Sequence, residues 1–120
     1  MIYGVGTDLV EVNRVMKACE KQAFLKRIFT EDEQRIIMKD IKKAAGNFAV
    51  KEAVVKMFGT GFRQIEPNHI EVLRDDLGKP YIILYDAARE FALQEQIAKI
   101  HVSITNTKDY ASAYVVGEIL

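Results

Sequence analysis

The sequence predicts an α+β domain built on an antiparallel sheet, on three observations. Two alternating runs near the C-terminus, Ile100 to Thr105 and Tyr110 to Val116, are separated only by Asn106-Thr107-Lys108-Asp109, which is the pattern of a hairpin. Ile70 to Leu73 and Tyr81 to Tyr85 form a second β-rich pair around the turn Asp75-Asp76-Leu77-Gly78-Lys79. Lys42 to Phe58 is alanine-rich and free of proline, and reads as a long central helix. The strict strand–helix alternation of a parallel sheet is missing. At 120 residues the chain, 1–120, is expected to be a single domain.

The elements follow in order. Ile2 to Thr7 is short, apolar and glycine-bearing, as in a buried strand. A helix is expected from about Val12, with Val12, Val15, Met16 and Cys19 on its apolar face. Thr30-Glu31-Asp32-Glu33 is a capping-box pattern, in which the Thr30 hydroxyl accepts from the Glu33 amide and the Glu33 side chain reaches back. Ile36, Ile37 and Met38 make the helix behind it amphipathic. The second half of the long helix is apolar almost all round, which places it centrally, and Gly59-Thr60-Gly61 stops it. Asp86 is placed to N-cap a helix running through Glu95. Pro67 and Pro80 punctuate loops or strand edges.

Composition excludes several classes. Seventeen basic residues balance seventeen acidic ones, and the pI is near 6.7, so a generic nucleic-acid binder is not indicated. One cysteine, Cys19, leaves no disulfide framework and no cysteine-rich zinc site. No apolar run reaches the ~18–20 residues a membrane helix needs. The first residues lack the pattern of a secretory signal, so a reducing, cytoplasmic location is expected.

Two acidic residues stand where burial should be costly. Asp8 ends the apolar strand, and Glu52 lies among Phe48, Ala49, Ala53 and Val55 of the long helix. If they converge, the pair suits Mg²⁺, which takes one or two protein carboxylates and leaves room for water and phosphate oxygens. A plainer reading stands beside it: Glu52 and Lys56 form an ordinary i, i+4 ion pair, and Asp8 closes a turn. Lys51, Lys56 and the Gly59-Thr60-Gly61 loop are candidates for a phosphate cradle, although the glycines follow the helix and so are not a Walker loop. Arg14, Lys17 and Lys21 recur at i, i+3, i+7 and form a basic helical stripe, either a solvated face or a docking surface for an acidic partner. Lys42 and Lys43 join Lys39 in another small basic cluster. His101, Ser103, Thr105 and Thr107 share one strand face, suited to a phosphate or to solvent alike.

Together these segments resemble the bacterial holo-acyl-carrier-protein synthases, the small 4′-phosphopantetheinyl transferases. The resemblance runs over nearly the whole chain: Gly6-Thr7-Asp8, then Phe48-Ala49-Val50-Lys51-Glu52-Ala53, Phe58-Gly59-Thr60-Gly61, Asp76-Leu77-Gly78-Lys79-Pro80 and His101-Val102-Ser103-Ile104-Thr105. It implies transfer of 4′-phosphopantetheine from coenzyme A to a serine of apo-acyl carrier protein, releasing adenosine 3′,5′-bisphosphate, in fatty acid biosynthesis. It further implies catalytic roles for Asp8, Glu52 and Lys56, with Mg²⁺ on Asp8 and Glu52. Lys56, Gly59, Thr60, Gly61, His101 and Thr105 would contact coenzyme A, and Arg14, Lys17 and Lys21 the acidic carrier protein. A homotrimer with interfacial active sites, and neither nucleic acid nor membrane as partner, complete the expectation. Two positions depart from the pattern: relatives often carry arginine at Asn47, and some a histidine at Asn106.

Overall fold

A computed structural model describes residues 1–120. The elements run β1 (Ile2–Glu11), α1 (Val12–Ala18), α2 (Gln22–Ile28), α3 (Glu31–Lys39), α4 (Lys43–Phe58), a 3-10 turn (Pro67–His69), β2 (Ile70–Arg74), β3 (Pro80–Leu84), α5 (Asp86–Gln94), β4 (Ile97–Asn106) and β5 (Tyr110–Ile119). The expected α+β class holds, with two antiparallel sheets: β1-β5-β4 and the β2-β3 hairpin. No helix is long and apolar enough to cross a membrane.

Helix α4 packs along the inner face of the three-stranded sheet. Val50, Val54, Val55, Ile70, Val72 and Val115 are buried around it, and a second cluster under α1 to α3 contains Val12, Val15, Ile28 and Phe29. Contact is close because Gly6 has no side chain. A Cβ there would fall inside the van der Waals shell of the Ala53 carbonyl oxygen. The backbone of β1 therefore touches that of α4, and every side chain on this face of β1 is placed against the helix.

Three expectations need correction. Strand β1 continues past Thr7 to Glu11, so Asp8 lies within the ladder, opposite Ala113, instead of at a strand end. The stripe of Arg14, Lys17 and Lys21 is not one helical face. Helix α1 ends at Ala18, and Lys21 stands in extended conformation (φ −95°) as the N-cap of a separate helix. Val12, Val15 and Cys19 keep helical phase, but Phe24 falls five residues after Cys19, so the helix must break for both to reach the core. Finally, Asp86 does not N-cap α5. It is the first helical residue, at φ 50°, and Tyr85 takes the cap position. Tyr85 is fixed there by its amide on the His69 carbonyl (2.8 Å) and its hydroxyl on Glu71 (2.8 Å).

Gly6→Ala should cost about 3 kcal/mol of stability, because the backbone of α4 must retreat from the sheet. Gly4→Ala, whose Cβ would stand 3.3 Å from the Met57 carbonyl oxygen, should cost clearly less. Chemical denaturation of the two variants checks this; equal losses would contradict it.

Candidate active site

Alternation along β1 puts Gly4, Gly6 and Asp8 on the face toward α4. Because Gly6 sits at Ala53, Asp8 arrives beside the adjoining turns of α4, which carry Glu52 and Lys56. The Lys56 ammonium donates to Asp8 Oδ1 at 2.9 Å and to the Thr7 carbonyl at 3.2 Å. Only 14% of the Asp8 side chain is exposed, against 55% for Lys56. Glu52 is half-buried, and its carboxyl is raised above its ordinary value first by burial and then by the negative charge of Asp8, with Lys56 pulling the other way. Lys56 holds its proton more tightly than usual, chiefly through its hydrogen bond to Asp8. The fold thus joins Asp8, Glu52 and Lys56.

The two carboxylates fit a hard divalent cation. They are oxygen donors with charges that repel each other, and no third histidine, cysteine or carboxylate joins them to close a cage. That donor set matches Mg²⁺, which keeps several water ligands.

Other expected site residues lie elsewhere. Lys51 is fully buried on the other side of α4 and cannot meet a phosphate. Its ammonium donates to Glu33 Oε1 (2.7 Å) and to the carbonyls of Pro67 (3.0 Å) and Ile70. Glu33 also accepts from the Thr30, Val72 and Asn47 nitrogens. Asn47 is completely buried, donates to Glu33 and to the Val72 carbonyl at 3.0 Å each, and leaves its own Oδ1 without a partner. The departure at Asn47 therefore belongs to a buried polar network behind the helix. The amides of Gly59, Thr60 and Gly61 all turn back onto the Val55 carbonyl (3.0–3.3 Å), so this loop closes the helix and leaves no amide facing an anion. His101 and Thr105 stand on the outer face of the sheet, opposite Asp8, and His101 pairs with Glu118 at 2.9 Å.

Two surface features complete the picture. A groove of about 520 Å³ is lined by Val15, Ala18, Phe24 and Phe48, with Glu11 and Arg14 as its charged residues. A polar cleft of about 360 Å³ at the start of α4 gathers Lys42, Lys43, Arg74 and Lys108 around Gly46 and Asn106, with Asp40 the one acidic lining residue. Burial lowers the Arg74 guanidinium's hold on its proton, while the charge of Glu33 opposes this. Reading the chain in segments missed this cleft, since its four cations come from three separate regions. The only signal was the Lys42-Lys43 pair.

A family model for the 4′-phosphopantetheinyl transferase superfamily matches residues 4–115. The chain belongs to this family. It is an enzyme of the holo-[acyl-carrier-protein] synthase type. The holo-[acyl-carrier-protein] synthase of Lachnoclostridium phytofermentans is 64% identical over 120 residues, spanning 100% of this chain and 98% of that one. Among solved structures, the Neisseria meningitidis synthase superimposes with a TM-score of 0.89 at 33% identity, covering 98% and 99% of the two chains. The Bacillus anthracis synthase, solved in complex with CoA (3′,5′-ADP), gives 0.83 at 35% identity, covering 100% and 99%.

The raised Glu52 carboxyl sets the sign of a pH effect in the metal-free protein. A folded-state value above the ordinary 4.5 means that stability falls as pH rises through that window, and the loss is complete above it. Glu52→Gln should therefore raise the melting temperature at pH 7 in chelator, and the gain should vanish below pH 4.5. A gain that grows toward low pH would contradict the burial argument.

Proposed function

We propose that this enzyme transfers 4′-phosphopantetheine from coenzyme A to a serine hydroxyl of an acyl carrier protein in a magnesium-dependent reaction serving fatty acid biosynthesis in the cytoplasm. The observation that carries this reading is the convergence of Asp8, Glu52 and Lys56 from distant parts of the chain. The serine oxygen attacks the β-phosphorus of the coenzyme A diphosphate. The bond to the bridging oxygen breaks, and its electron pair leaves with adenosine 3′,5′-bisphosphate. Such transfers depend on positioning and on neutralising charge more than on covalent help from the protein. Mg²⁺ held by Asp8 and Glu52 would supply charge neutralisation at the diphosphate. Lys56 contributes a second positive charge toward the same oxygens, and the serine proton passes to a water at the site or to Glu52.

The remaining surfaces fit the same reading. The cleft of Lys42, Lys43, Arg74 and Lys108 has the charge to hold another phosphate of coenzyme A. Its Gly46 lies about 15 Å along α4 from Lys56, so a pocket shared between copies of the chain is the natural way to use both. The outer sheet face favours such copies, because Val5, Leu9 and Tyr114 lie 53%, 63% and 51% exposed on it. Burying that face in a homotrimer would bring His101 and Thr105 to a neighbouring subunit. The groove lined by Arg14 offers an acidic carrier protein both an apolar anchor and a positive charge, and Lys17 at the end of α1 and Lys21 at the start of α2 would add to that charge.

Incubation with coenzyme A, Mg²⁺ and apo carrier protein should add one phosphopantetheine to the carrier by intact mass, and chelator should abolish it. Lys56→Ala should lower kcat by about a hundredfold or more, whereas Arg14→Glu should mainly raise KM for the carrier. Wild-type turnover in chelator, or in Lys56→Ala, would overturn the reading.

A further inference from the structure

Lys56 is the only cation within bonding distance of the carboxylate pair, and it already occupies Asp8. Its ammonium is 2.9 Å from Asp8 Oδ1, is tied to the Thr7 carbonyl at 3.2 Å, and feels the charge of Glu52 one helical turn earlier. Of the two partners Lys56 is much the more exposed, with 55% of its side chain accessible against 14% for Asp8. A divalent cation approaching Asp8 therefore meets a positive charge already bonded to one of its two carboxylate oxygens and competes with it for the group. The same contacts take up two of the three donors of the ammonium, which a diphosphate would otherwise use. An ion pair with a half-exposed partner contributes little to stability, so exchanging it is inexpensive.

We propose that Lys56 competes with the divalent cation for Asp8, holding the free protein metal-poor until coenzyme A arrives to draw the ammonium onto its phosphates. This rests on the reading of Asp8 and Glu52 as the metal ligands. While the ammonium sits on Asp8 it weakens the metal. Once a diphosphate accepts it, Asp8 is free to bind. Linkage makes the effect mutual: coenzyme A tightens the metal, and the metal tightens coenzyme A by the same factor. Lys56 thereby has a role before chemistry, in addition to neutralising phosphate during it.

The test is Mn²⁺ binding, followed by electron paramagnetic resonance of the free ion, with no turnover involved. Without coenzyme A, Lys56→Met should bind Mn²⁺ about tenfold more tightly than the wild type, since a repelling charge and a competing ion pair are both removed. Adding Asp8→Asn should erase the gain, and thermal melts establish that each variant is folded. If Lys56→Met binds no more tightly than the wild type, while coenzyme A still recruits one Mn²⁺ that Asp8→Asn abolishes, the competition is refuted and the metal site stands. If Asp8→Asn leaves Mn²⁺ binding unchanged throughout, or no protein takes up Mn²⁺ with or without coenzyme A, the metal reading fails and the competition with it.

Discussion

The backbone of Gly6 lies against the carbonyl of Ala53, and the rest of the site depends on that contact. With no side chain between them, β1 and α4 approach until residues two places along the strand meet residues on the adjoining turns of the helix. Asp8 is two places along, and Glu52 and Lys56 are on those turns. The spacing of Gly6 and Asp8 is thus a geometric requirement: one residue makes room, and the other, on the same strand face, is delivered into it. A larger residue at position 6 would move the helix and separate groups that act only together.

A second constraint works from behind α4. Lys51 and Glu33 form a fully buried ion pair, completed by Asn47 and by backbone groups of the segment leading into β2 and of β2 itself. Buried pairs of this kind add little net stability, but removing one partner leaves a charge stranded and costs about 3–5 kcal/mol. The pair therefore acts mainly by selection. Only one rotation of α4 about its axis satisfies Lys51 on one side while turning Glu52, the next residue, toward Asp8. Neighbouring residues in the chain, about 100° apart around the helix, thus serve different faces, one fixing it and one facing the reaction.

The legible parts of the fold were those set by local chemistry. The capping box at Thr30 and Glu33, the glycine stop at Gly59 and the turn at Gly78 all formed as their residues dictate. Where tertiary packing decides, local reading failed. Arg14, Lys17 and Lys21 have helical spacing, but the need to bury both Cys19 and Phe24 breaks the helix between them. Glu33 and Lys51 look like surface charges in a linear sequence, because each is acceptable in the core only through the other. Asp8 and Glu52 were legible as costly carboxylates, yet pattern alone did not bring them together; the resemblance suggested it and the close packing at Gly6 achieves it. The four cations of the cleft at the start of α4 were invisible for the same reason.

The central claim is that Asp8 and Glu52, joined by that packing, act as one unit on a single cation. A double-mutant cycle in kcat/KM for carrier modification at fixed Mg²⁺ tests it most directly, using Asp8→Asn, Glu52→Gln and the two combined. If one ion needs both ligands, either change alone removes nearly all of its benefit, and the double variant is scarcely worse than the poorer single. Losses that multiply, as for two independent groups, would contradict the account.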